Sequence, residues 1–513
     1  MVLAKDIFTE FKEHSVSEFF RKNAAMLGYT GKIRSLTTVV HEGVTNAIDA
    51  AEEAGILPSI SVSIKPVGDD SEHYKVIIED NASGIPEEYV PRVFGKMLAG
   101  TKLHRNVQNR GQQGIGVSGS VMFAQVTSGK PTKITTSTEN GKIATYDVMI
   151  NVNKNRGKIM DRKTQEGDWR GTRVEFDVKD VMYTRSRYGP YNYLRMTAIA
   201  NPHVRIRFIE PDGCLTIFER ATKKIPDRPE PIPPHPAGIR ADDLLALAKN
   251  TRRKSIGTLL VNELSRFSKR RLKKLRELTD VNLNDDPSEL NWKKAEKIVS
   301  AFRKMDFMAP PTEGLRPIGE EKIKNGLRQV LDPEFVSAVT RTPEVYWGGI
   351  PFIVEAGIAY KGSAGSSSNS ENKGMELIRF ANRAPLIFDQ GACATTLAAK
   401  DVNWRRYNVD PEKTPVTLLI NVVSVHVPYT SAGKQSIAQE QEIYEEVRQA
   451  TMEVARGLRS YLRRKVKKRE QRERAGIFER YLPIIVEKAS KISGKEAPEI
   501  GPLLTKITGV NND

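Results

Sequence analysis

The stretch RGQQGIGVSG, Arg110–Gly119, decides how this chain is read. Gly111, Gly114 and Gly116 let the backbone bend tightly and present successive N–H groups, which suits a phosphate at the N-terminus of a helix. No Gly-Lys-Ser/Thr follows, so the run is not a P-loop. Nor does a ribose-binding acid follow at dinucleotide spacing, which excludes a Rossmann reading. A plain surface loop has the same composition, so the neighbouring residues must choose.

On the N-terminal side, Thr37–Ala54 is predicted helical, with Val40, Val44, Ala47 and Ile48 apolar at spacings of three and four. Glu42 and Asn46 are four apart and project from one face, with Asp49 one turn further. A carboxylate that takes a proton from water, beside an amide oxygen that holds Mg²⁺, is a workable hydrolytic pair. A polar stripe on a surface helix has the same spacing. Two strands follow, ISVSIKP (Ile60–Pro66) and HYKVIIED (His73–Asp80), turning through Gly68, Asp69 and Asp70. In EDNASGIP (Glu79–Pro86), Asp80 can accept from an exocyclic amine while small residues pack on a flat ring. An ordinary Asx turn has the same residues. Thr101-Lys102, the glycine run and Gly171-Thr172 at the head of GTRVEFDV come next. A helix followed by hairpin-linked strands predicts an α+β sandwich with a largely antiparallel sheet.

That order, helix Glu/Asn, strand-end Asp, glycine lid, Gly-Thr strand, resembles the Bergerat-type ATPase sandwich shared by gyrase, Hsp90, histidine kinases and MutL. The resemblance implies ATP and Mg²⁺ as cofactors. It makes Glu42 the group that polarises water and Asn46 the Mg²⁺ ligand. Asp80 reads the adenine amine, in a pocket shaped by Gly84 and Thr172. Thr101, Lys102, Gly111, Gln112, Gln113, Gly114, Ile115, Gly116, Val117 and Ser118 close over the phosphates. The family's adenine box is Asp-x-Gly-x-Gly, and here Ala82 replaces the first Gly; its methyl fits only if φ there is negative.

Beyond the proline hinge IPDRPEPIPPHP (Ile225–Pro236) lies a helical segment from Asp242 to Met305, with a basic run at Lys269–Lys274. A second hinge, APPTEGLRPIG (Ala309–Gly319), opens a part with strands at Trp347–Tyr360, Glu376–Asn382 and Val416–Val425. It also contains a loop tip at Lys361–Gly374 and a long charged helix from Ser436 to about Tyr481. PYTSAGKQSIA (Pro428–Ala438) holds Lys434 in a Gly-containing turn, where its ammonium could reach a γ-phosphate from another domain. A solvated lysine near a helix start is the plainer reading. With RFANRAPL (Arg379–Leu386), VNWRRY (Val402–Tyr407) and the two hinges, the chain from Val16 to Arg464 closely resembles the B subunits of archaeal-type DNA topoisomerase VI.

This resemblance implies an ATPase domain at 1–228, with 1–22 as a dimerisation strap, and a helix–two-turns–helix domain at 229–308. It further implies an α/β transducer at 309–482 with a long C-terminal stalk helix, and a tail at 483–513. Lys434 would be the switch lysine. ATP would dimerise two B subunits inside a heterotetramer with two A subunits, driving one duplex through a double-strand break in another and so relaxing and decatenating DNA. Arg316 and Arg405 depart from an expected Ser and Lys; neither removes a catalytic group. No Asp-x-Asp occurs, so the acidic pair of a Toprim cleavage centre is missing and cleavage is expected on the A subunit. A MutL-like or Hsp90-like clamp is the alternative, although those relatives lack the helical insert. A DNA-binding scaffold with a vestigial pocket follows only if Ala82 blocks adenine.

Bulk properties agree with these readings. A 513-residue chain needs two to four cores. Its 80 Lys+Arg against 63 Asp+Glu leave +17, favouring polyanion partners. Arg185/Arg187, Lys269–Lys274 and Trp404–Tyr407 are candidate contacts with DNA phosphates, each equally readable as a solvated basic face. Eight basic residues in Arg463–Arg474 suit either DNA or a docked partner. The longest apolar run, Val416–Val427, is too short to span a membrane. Two separated cysteines suit a reduced, intracellular protein; the resemblance implies a cytoplasmic, nucleoid-associated one without membrane contact.

Overall fold

The computed structural model describes residues 18–19, 22–99, 106–111, 114–138, 141–365, 374–431 and 433–502. Helix α1 (Lys32–Ala54) starts earlier than the Thr37 expected, because Gly31 at φ 72° breaks the chain just before it and buried Leu36 extends the apolar stripe. Strands β1 (Ser59–Val67) and β2 (Asp70–Glu79) form the expected hairpin, with Ile64 opposite Val76. A short helix α2 (Val90–Gly95) and helix α3 (Gly116–Ser128) flank the glycine run.

Strands β3 (Thr132–Ser137), β4 (Lys142–Asn151), β5 (Arg156–Glu166) and β6 (Gly171–Val178) follow, then helix α4 (Pro190–Ala200), β7 (Arg205–Ile209) and β8 (Leu215–Phe218). The eight strands make one sheet in the order β5-β4-β3-β6-β2-β1-β7-β8, antiparallel except for β1 beside β7. Val39, Val40, Val44 and Ile48 of α1 share a core with Val62, Val76 and Phe176 of the sheet. The predicted α+β sandwich is therefore the fold. The sequence reading did not show β5, whose RGKIMDRKTQE lies on an exposed edge and lacks apolar alternation.

A second unit packs α5 (Ala241–Asn250), α6 (Ile256–Glu263), α7 (Lys269–Leu278) and α8 (Trp292–Phe302) around Leu244, Leu259, Leu275, Ile298 and Phe302. Ser255 and Asn291 cap α6 and α8 by accepting from Thr258 N and Lys294 N.

The third unit begins with α9 (Glu320–Leu331). Strands β9 (Phe335–Thr340), β10 (Glu344–Tyr346), β11 (Ile350–Tyr360), β12 (Met375–Ala381) and β13 (Ala384–Pro385), helix α10 (Ala394–Lys400) and β14 (Val416–Ser424) complete its sheet layer. The sheet order is β10-β11-β14-β12-β13, with β9 also on β11. Helix α11 (Gln441–Ser493) lies on this sheet through Ile443, Val447, Ala450, Val454 and Leu458. It runs past Tyr481, where the sequence reading stops it, and carries Pro483 inside. In that solvent-exposed stretch a proline forfeits one hydrogen bond to a carbonyl that water can satisfy.

Candidate active site

Arg34, Thr38 and Glu42 recur every four residues along one face of α1 and, with Thr45 and Asn46, line a cavity of about 470 Å³. Gly111, Gly114, Ile115, Gly116 and Val117 form its opposite wall, and Lys434 enters from the segment between β14 and α11. The elements explain the contacts. Gly114 turns the chain at φ 61°, and Ile115 then opens α3 with no side-chain cap. The first-turn N–H groups and the positive end of the helix dipole are thus left for an anion. A Cβ on Gly116 would sit 1.9 Å from Glu42 Oε2, so only glycine lets the carboxylate lie against the start of this helix. Asn46 Nδ2 donates to Glu42 O at 2.8 Å, which leaves Oδ1 as an acceptor. Burial holds the His41 imidazole below its ordinary pKa; Glu42 opposes this and Lys434 adds to it.

Asp80, Gly84 and Thr172 do not line this cavity; they form a cluster of their own at the end of β2. Asp80 N donates to Thr172 O at 2.9 Å, while Ala82 N and Thr172 N both donate to Asp80 Oδ1, at 2.9 and 3.1 Å. Among the described residues no hydrogen bond reaches Oδ2. Burial raises the Asp80 pKa to about 6, against those two backbone bonds. Ala82 lies outside the positive-φ region, so its buried methyl meets the condition set by the sequence. Gly84, at φ 74°, could not carry a Cβ, which would lie 2.1 Å from Ser137 O. Ser118 is buried and donates to Ile115 O at 3.0 Å, so it closes the helix turn rather than lining the cavity. Thr101, Lys102, Gln112, Gln113 and residues 1–17 and 20–21 of the strap lie outside the described residues.

The sequence reading assigned no role to Arg34 or Thr38, although their spacing from Glu42 placed them on its face. It also assigned none to the segment leading into the glycine run. Asn106 exchanges hydrogen bonds with Ile232 of the first hinge, at 2.6 and 2.9 Å. Gln108 exchanges two with the Arg316 backbone of the second hinge, at 2.7 and 3.0 Å. Asn382 donates to Asn109 O at 2.9 Å. The Arg110 side chain is buried and bonds Asp49 at 2.6 Å, Asn201 at 2.6 Å and Glu52 at 2.8 and 3.0 Å. Although burial opposes it, the Arg110 charge holds Glu52 well below the usual carboxylate range. Asp49 is thus a partner of Arg110, one turn beyond Asn46. Arg316, the unexpected residue, also bonds Glu230 at 3.1 Å and so ties the two hinges together.

The basic patches differ in what they offer. Arg185 is engaged by Glu210 in a bidentate pair, at 2.6 and 2.8 Å. Trp404 is buried and donates to Ala399 O at 3.0 Å, leaving Arg405 and Arg406 exposed. Lys269, Arg270, Lys273 and Lys274 are exposed on α7. Among the described residues no helix is long and apolar enough to cross a membrane, and no cluster of three or more His, Cys, Asp or Glu could hold a metal.

Comparison with known proteins supplies the family. Residues 31–180 match the histidine kinase-, DNA gyrase B- and HSP90-like ATPase family, and 310–474 match the topoisomerase VI B subunit transducer. The B subunit of type 2 DNA topoisomerase 6 from Pyrococcus horikoshii is 50% identical, covering 99% of this chain and 96% of its own length. That of Methanothermobacter thermautotrophicus is also 50% identical, over 98% of this chain and 97% of its own. With an ATPase sandwich followed by a transducer, the chain belongs to the family of type 2 DNA topoisomerase 6 B subunits and is the ATP-binding, ATP-hydrolysing subunit of a type II topoisomerase.

Proposed function

We propose that the cavity between α1 and the start of α3 holds the triphosphate of ATP, with Glu42 taking a proton from the attacking water. The supporting observation is that Glu42, Asn46, the uncapped α3 terminus and Lys434 meet in one cavity. Asn46 Oδ1 suits Mg²⁺, which binds through one or two protein oxygens plus phosphates and water. When bound, the ion neutralises phosphate charge. Asp80 Oδ2 accepts from the adenine amine, Gly84 and Thr172 shape that pocket, and Thr101, Lys102 and Gly111–Val117 form the lid, with Ser118 closing the helix turn behind it. Lys434 contacts the γ-phosphate and reports it to the transducer.

In this reading the chain divides at 228, 308 and 482, with residues 1–22 joining two B subunits when ATP binds. The assembly holds two A and two B subunits, acts on duplex DNA in the cytoplasm at the nucleoid, and relaxes and decatenates it. The four-helix insert and the transducer match favour this over a MutL-like or Hsp90-like clamp. Glu42→Ala is expected to keep nucleotide binding and ATP-dependent dimerisation and to lose hydrolysis. Wild-type turnover in that variant would remove Glu42 as the base. Decatenation is expected only after mixing with an A subunit; activity of this chain alone would contradict the division of labour.

A further inference from the structure

Two turns before Glu42, Arg34 reaches out of the cavity to the transducer. Its Nη1 and Nη2 bond Asp389 Oδ1 and Oδ2, both at 2.9 Å, in a bidentate pair. The same guanidinium lies 4.7 Å above the Phe388 ring. Arg34 also borders the turn that carries Lys434, since a Cβ on Gly433 would lie 3.9 Å from its Nη2. The Leu386–Asp389 segment in turn holds that turn. Ile387 N and Phe388 N both donate to Gln435 Oε1, at 3.0 and 3.2 Å, and Gln435 is the residue after Lys434. A few residues on, Ala394 N donates to Ile437 O at 3.0 Å and Ile437 N to Cys393 Sγ at 3.3 Å. The segment itself hangs from buried Arg379, whose Nη2 donates to Leu386 O and Phe388 O at 2.8 and 2.7 Å.

One short connector therefore grips both the helix that carries Glu42 and the turn that carries Lys434. We infer that Asp389 is a positioning residue for ATP hydrolysis: its pairing with Arg34 sets Lys434 against the cavity and is made only when the transducer is docked on the ATPase sandwich. The inference rests on the proposed roles of Glu42 and Lys434. Asp389 does not line the cavity that holds them, so its loss should leave nucleotide binding intact and slow turnover.

The informative variant is Asp389→Asn. Asp389 has φ 53°, a backbone conformation that Asn tolerates, so this change removes the charge while keeping shape and chain path. In the assembled enzyme we expect kcat for ATP to fall about fivefold, as for loss of a well-aligned bidentate pair, with unchanged nucleotide affinity and melting temperature. The charge swap Arg34→Asp with Asp389→Arg should turn over faster than Arg34→Asp alone. Wild-type kcat in Asp389→Asn, or no gain from the swap, would overturn the inference. Lys434→Ala and Glu42→Ala run alongside: if they lose hydrolysis while Asp389→Asn does not, only the pair is at fault. Should they retain wild-type hydrolysis, the active-site reading itself fails.

Discussion

Asp80 carries its functional argument on single atoms. Both backbone N–H bonds fall on Oδ1, so a proton binds on Oδ2, the oxygen proposed to face the adenine amine. Burial raises its pKa to about 6, from an ordinary carboxylate value. For folding, a raised carboxylate pKa works against stability, by an amount that grows as pH rises from about 4 through 6. Under the role proposed for Asp80, ligand binding runs the other way, because a proton on Oδ2 turns the atom facing the amine into a donor. ATP affinity is therefore expected to fall as pH drops below about 6, by roughly tenfold per unit once protonation dominates. Asp80→Asn should lose affinity at every pH and flatten this profile. Nucleotide titration across pH 5 to 8 checks both outcomes, and a flat wild-type profile would exclude Asp80 as the acceptor. The Asp was legible in EDNASGIP, but the choice of oxygen was not, since it depends on Thr172, 92 residues away.

Between elements, the decisive contact is α1 against the first turn of α3. Gly116→Ala would put a methyl 1.9 Å from Glu42 Oε2. The clash is with the end of a flexible side chain, so Glu42 rotates and the fold is spared. The expected result is a kcat loss of roughly 10- to 100-fold, because about 1 Å of misplacement costs that much. Nucleotide affinity and melting temperature should stay near wild type; full turnover would show that the Glu42 position is not critical. The spacing of Glu42 and Asn46 was readable from helical period alone. The Asn106–Arg110 segment was not, because Asn106, Gln108 and Asn109 read as generic polar residues until their partners in both hinges and the transducer are known. Gln108→Ala removes two hydrogen bonds to Arg316 and is expected to cost about 1–3 kcal/mol of local stability, measurable as faster amide exchange at Arg316.

Across the whole molecule, the net charge of +17 sets the response to polyanions. Binding through phosphates predicts duplex affinity that falls steeply and linearly on a log–log plot against salt, with little sequence preference. Replacing exposed Lys273 and Lys274 by Glu should weaken binding uniformly across sequences and lower the salt slope by about two. An unchanged slope would place the DNA elsewhere. By itself the sequence determined the α+β class and the spacing of Glu42 and Asn46 on one helix, and its proline hinges suggested a three-part division. Periodicity, turn chemistry and residue spacing are local properties that a chain carries without folding. The resemblance implied that Lys434 would approach the site of Glu42; the tertiary structure puts both in the lining of one cavity although they are nearly four hundred residues apart. It alone paired Arg110 with Asp49 and Glu52, and joined Arg34 to Asp389. These contacts come from packing two sheets and two hinges together, and no sequence window records which side chains that packing brings face to face.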